Sequence, residues 1–146
     1  MQPTHEKYGL FIFGDKRAPV DYNIELGISL HPPRRTPDML NFSIVAVHGL
    51  GGDWQSTWTD ENGKLWLRDF LPSQLPNARI MSYGYNSETV FTQSVEDITD
   101  TAMILLERLT SKRQEVEERT RPIMFISHSL GGIVVKKAGP LQDIWP

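Results

Sequence analysis
The sequence predicts an α/β fold, a mostly parallel sheet with helices on both faces. Three observations carry this. Two short apolar runs, residues 44–47 (IVAV) and 123–126 (IMFI), each lead into a glycine-bearing turn, HGLGG and SHSLGG. Continuous apolar runs of this length read as strands covered on both faces, as a parallel sheet requires. The third is residues 94–109, where Val95, Ile98, Ala102, Leu105 and Leu109 recur at spacings of three and four. That spacing is the apolar stripe of a helix packed on a sheet.

The elements follow in chain order. Residues 10–13 and 24–30 read as two opening strands, with turn chemistry at Gly14-Asp15 and at residues 21–23 between them. HPPRRTPD, from His31, is a Pro-rich, basic connector. After the 44–47 strand, Trp54, Trp58 and Trp66 are expected in the core, as large aromatics usually are. Their other reading is the wall of an acyl pocket. Residues 65–71 form a short helix closed by Pro72, and 78–83 form the next strand. Residues 84–87 are then its loop at the carboxyl end, where open α/β sheets place ligands. Ser94 with Asp97 gives the long helix a capping-box-like start. In the charge run 112–121, Arg113/Glu117 and Glu115/Arg119 stand four apart, which suits a solvated helix end. Pro122 stops that helix and opens the 123–126 strand. A helix follows the second glycine turn, and Gly139-Pro140 is expected to break it.

Composition narrows the function classes. A net charge of -3 argues against nucleic acid as a partner, since a basic stripe would be expected. With no cysteine, disulfides and thiolate metal sites are impossible, and a reducing compartment fits. The first residues, MQPTHEKY, lack the apolar core of a signal peptide, and no run reaches the roughly 18 apolar residues of a membrane span. The expected location is therefore cytoplasmic.

The chemistry centres on Ser129. A serine at the tip of a strand-to-helix turn stands clear of the sheet, above the free N–H groups of a helix N-terminus. Small residues two before and two after it let strand and helix approach. Here these are Ser127, in place of the usual glycine, and Gly131. His128 is a neighbour in the turn, and neighbours point different ways, so it is not expected to be the base.

These strings, VHGLGGDWQSTW, LWLRDFLP, ARIMSYGY and PIMFISHSLGGIVVKKA, together resemble the lipase-like serine esterases. These are α/β-hydrolases related to a mitochondrial serine-active-site protein. Similar domains stand at the N-terminus of fungal proteins with NACHT, NB-ARC, ankyrin or TPR modules. The resemblance spans residues 41–138, with a divergent lead at 1–40 and a tail outside the family pattern at 139–146. It implies acyl-ester hydrolysis through Ser129, with an ester or lipid substrate, no metal and no cofactor. It also implies an oxyanion hole built from the N–H of Leu130 and one from Leu50 or Gly51. His48, Gly49, His128, Gly131 and Gly132 become motif residues that shape the two turns. For His48 the rival readings are metal ligand or general base, yet no second ligand stands at suitable spacing. By resemblance, organelle-membrane association and C-terminal signalling or repeat modules belong to longer relatives.

In this fold the triad runs serine, acid, histidine along the chain. After Ser129 the sequence contains one acid, Asp143, close behind the turn helix, and no histidine. The expectation is thus the N-terminal part of an α/β-hydrolase, cut after the helix that follows the serine and inactive by itself. An apolar strand left at the sheet edge would also make it poorly soluble. The rival readings are a non-catalytic hydrolase-like recognition or effector module, and a small binding protein that reuses half the fold.

Overall fold
The computed structural model describes residues 7–14, 42–92 and 95–141. The expected strand at 24–30, the Pro-rich connector and the Ser94 cap lie outside them. Within them the chain forms a four-stranded mixed sheet in the order β1-β3-β2-β4: β1 (Gly9–Gly14), β2 (Ser43–Val47), β3 (Arg79–Gly84) and β4 (Ile123–Ser127). β2 is flanked by two parallel neighbours, with Ile44 opposite Ile80 on one side and Met124 on the other. β1 alone runs antiparallel, with Leu10 opposite Tyr83 and a register shift between Ile12 and Gly14. The mostly parallel α/β architecture predicted from the sequence is what forms.

Alternation along the strands divides two cores. Val45, Val47, Met81 and Tyr83 face the long helix α4 (Val95–Lys112) and the last helix α6 (Leu130–Leu141), meeting Ala102, Leu105, Leu109, Val134 and Ala138. Ile44, Ala46 and Ile80 face the opposite way, onto Trp58, Leu65 and Leu67. That side is closed by a 3₁₀ turn (Ser56–Trp58) and two short helices, α1 (Trp66–Asp69) and α2 (Leu71–Gln74). All five residues of β2 are buried, which explains why its run carries no polar alternation. Each fully buried aliphatic side chain contributes about 1.5–3 kcal/mol of transfer free energy, so this central strand organises both layers. The Tyr83 hydroxyl donates to Thr101 O at 3.1 Å, fastening β3 to α4.

Several expectations need correction. Pro72 does not end the helical segment; it sits in the first turn of α2, where its missing N–H has no partner to lose. Of residues 84–87, expected to be a loop, the last opens a further helix, α3 (Ser87–Thr92). Gly139-Pro140 does not break α6, which continues to Leu141. A proline so near the end forfeits a single backbone bond, which packing of Val134 and Ala138 outweighs. The charge run is not simply a solvated helix end. It holds a four-residue helix, α5 (Val116–Arg119), and the Arg79 guanidinium reaches Glu118 at 3.3 Å with side chains 6% and 13% exposed. Arg113 donates to main-chain carbonyls, Glu118 O at 2.8 Å and Arg119 O at 2.9 Å.

Of the three tryptophans one is fully in the core and two are half-buried. Trp58 is buried and meets Trp66 edge-on at 5.9 Å, and Trp54 stacks on Phe11 at 4.0 Å.

Candidate active site
Ser129 joins β4 to α6 with φ of 52°, the only positive φ at a non-glycine among the described residues. A left-handed serine costs of order 1 kcal/mol, and such strain persists only where packing over-determines it. Here both flanks are pinned. His128 N–H donates to Val47 O at 3.0 Å, extending the β2–β4 ladder by one residue, and Gly131 N–H returns to His128 O at 3.0 Å. Ser129 is exposed, and its hydroxyl meets no hydrogen-bond partner among the described residues.

The glycines explain how the turn seats itself. A Cβ on Gly131 would stand 2.6 Å from His48 O and overlap Val47 O, so α6 can abut the end of β2 only through a glycine. A Cβ on Gly49 would meet His128 O at 2.8 Å and Ser129 Cβ at 2.9 Å. The His48–Gly52 loop therefore lies directly against the serine. Position 127 is exposed, so the serine side chain there has room.

His48 is fully buried and braces this loop from beneath. Tyr85 N–H, an obligatory donor, lies 3.3 Å from Nε2, so Nε2 accepts and Nδ1 carries the proton toward Gly49 O at 2.9 Å. Burial lowers the His48 pKa, although main-chain hydrogen bonds to Gly49 and Tyr85 and the charge of Asp53 oppose this. The neutral ring stacks on Tyr85 at 4.3 Å, and the Tyr85 hydroxyl donates to His48 O at 2.8 Å. With both ring nitrogens engaged by main-chain groups, His48 is a strut. Beyond it, burial alone would raise Asp53. Hydrogen bonds from the Ser56 hydroxyl and from the N–H groups of Ser56 and Gln55 outweigh it and hold the carboxylate low.

The loop's N–H groups are unequal. Gly51 N–H donates to Ser87 Oγ at 3.1 Å, whereas those of Leu50 and Leu130 have no partner among the described residues. Of the two loop positions, Leu50 is the one whose N–H stays unpaired among the described residues. Tyr85 and Ser87 escaped sequence reasoning as individuals. The signal was their place, just past the carboxyl end of a parallel strand. Gly49 and Ser129 are brought together, with Leu50 and Leu130 next to them along the chain, while Asp143 lies outside the described residues.

Strand order, buried central strand and exposed serine on a strand-to-helix turn together define an α/β protein of hydrolase-like build. The family model described as "Putative serine esterase (DUF676)" matches residues 42–140, and the chain belongs to that family. Among curated proteins, Protein SERAC1 of Danio rerio is 28% identical over 127 residues, covering 74% of this chain and 19% of that protein. Protein SERAC1 of Mus musculus is 26% identical over 125 residues, with the same shares of 74% and 19%. That of Bos taurus is 25% identical over 155 residues, covering 94% of this chain and 23% of that protein. The chain thus spans about a fifth of these relatives. No solved structure matches.

Proposed function
We propose that this chain carries the nucleophile and oxyanion half of a serine esterase acting on carboxylic esters, lipid esters among them. The observation that carries this reading is Ser129 at φ 52°, seated against Gly49, with the N–H groups of the next residues in each turn, Leu130 and Leu50, unpaired among the described residues. On this reading the turn is a nucleophile elbow. Ser129 Oγ attacks the ester carbonyl. Its proton passes to a base and then to the departing alcohol, leaving an acyl-enzyme for water to cleave. The N–H of Leu130 and of Leu50 receive the developing oxyanion, a contribution of roughly 3 kcal/mol per donor. This acyl transfer uses no cofactor. The lack of cysteine suits a cytoplasmic enzyme or one working on esters at an organelle membrane.

Neither His48, engaged on both nitrogens, nor His128, with no hydrogen bond to Ser129, serves as the base. Base and acid are therefore expected from residues outside the described ones. The test is labelling by a fluorophosphonate. In the natural full-length polypeptide that carries this sequence, the probe is expected on Ser129 and to vanish in Ser129→Ala. Residues 1–146 alone should react about 10²–10⁴-fold more slowly, the contribution of a general base. Absence of labelling in the full-length polypeptide refutes the hydrolase and leaves the non-catalytic recognition module.

A further inference from the structure
We infer that Tyr85 and Ser87 are positioning residues that hold the Leu50 N–H over Ser129, a role that rests on the proposed serine chemistry. Leu50 is 45% exposed, and its loop carries Gly51 at φ 71°. Within the loop, the bond from Gly52 N–H to Gly49 O at 3.2 Å closes the turn and holds the carbonyl edge of the Gly49–Leu50 peptide, but leaves the peptides on either side, before Gly49 and before Gly51, without a bond inside the loop. The β3–α3 connection secures them from 36 and 37 residues away.

Three bonds do so. Ser87 Oγ draws the Gly51 N–H inward. The Tyr85 hydroxyl holds His48 O, and Tyr85 N–H holds the His48 ring, whose other nitrogen holds Gly49 O. Consecutive peptide planes are rigid, so fixing the groups at 48, 49 and 51 fixes the plane that bears the Leu50 N–H between them. Tyr85, Ser87 and His48 are buried at 6%, 4% and 0% exposure, so water does not compete for these bonds. Burial also pushes the Tyr85 phenol pKa up, keeping it a donor. The Ser87 hydroxyl has a second effect. By occupying Gly51 N–H, it leaves one donor in the loop rather than two pointing at the oxyanion. An oxyanion hole depends on such preorganisation, because its donors must not reorganise as charge develops.

The experiment has two arms, both on the natural full-length polypeptide. The first is amide hydrogen exchange resolved by fragmentation to single residues. Gly51 should be protected and Leu50 not, with Ser87→Ala abolishing that protection and Ser87→Thr restoring it. Equal exchange at Leu50 and Gly51 in the wild type overturns the clamp, whether or not Ser129 reacts. The second arm is the fluorophosphonate labelling rate. Ser87→Ala and Tyr85→Phe should each slow it about 10- to 100-fold, measured well below the thermal midpoint of each variant, the penalty of a misplaced catalytic donor. Ser87→Thr should recover the rate. An unchanged rate in Ser87→Ala overturns the positioning role. A wild type that is never labelled removes it together with the hydrolase reading, while protection at Gly51 would survive as architecture.

Discussion

His48 shows how one residue's environment decides its chemistry. In sequence it precedes a glycine turn and invites roles as base or ligand. In the fold it is fully buried and carries its proton on the nitrogen facing Gly49 O. Burial lowers its pKa from the ordinary 6.5. The unfolded chain therefore binds more protons than the folded one just below that value. Stability from the neutral ring is complete above about pH 6.5 and is lost as pH falls toward the lowered folded value. The urea midpoint of the wild type is expected to fall between about pH 7.5 and 5.5, before most carboxylates titrate. His48→Asn should start lower and show a flatter dependence over the same interval. A steeper one would mean that another group governs the acid limb. The same locality governs Ser127 and Gly131. Both sit in the small-residue pattern, yet only Gly131 has backbone oxygens where a Cβ would go.

At the scale of elements, periodicity was legible wherever packing follows it. Ala102, Leu105 and Leu109 are buried on α4 as their spacing predicts, and β2 is a strand because its run is continuously apolar. Where long-range partners decide, the local signal fails. Arg79 looks like a charged residue opening a strand, and Glu118 like one of many in a solvated run. The fold pairs them 39 positions apart in a nearly dry site. Arg79→Leu leaves the Glu118 carboxylate buried without its cation and is expected to cost about 3 kcal/mol, read as a lowered urea midpoint. Arg79→Leu combined with Glu118→Leu should recover most of that loss, because apolar replacement of a whole buried pair is nearly neutral. If the double variant is worse than the single one, the pair is not what Arg79 serves. Pro140 is a parallel case, since its place in the last turn of α6 limits what it can disrupt.

At the scale of the molecule, β4 is the end strand of the sheet among the described residues. Its burial is partial, with Met124 54% exposed, against full burial for its neighbour β2. Beside it runs a groove of about 850 Å³ floored by Leu106, Leu109, Ile123, Phe125 and Val135. An apolar end strand with open backbone groups is a template for pairing. Residues 1–146 by themselves are expected to self-associate in a concentration-dependent way. Met124→Lys should raise the monomer fraction in sedimentation, since a lysine on an edge strand opposes strand pairing. Equal association of the two proteins would place the sticky surface elsewhere. Among the described residues, no helix is long and apolar enough to cross a membrane.

The sequence by itself determined the α/β class, the two strand-to-glycine units and the turn serine. These rest on local steric and hydropathic rules that act over a few residues. It also carried the family likeness, later matched over residues 42–140. Only the tertiary structure decided which loop N–H stays open, because that depends on Ser87 capturing Gly51 from 36 positions away. It alone made His48 a strut, since desolvation and the Tyr85 backbone come from another strand's end. Periodicity reports which face a residue shows, but hydrogen-bond partners and burial depend on which distant segments that face meets.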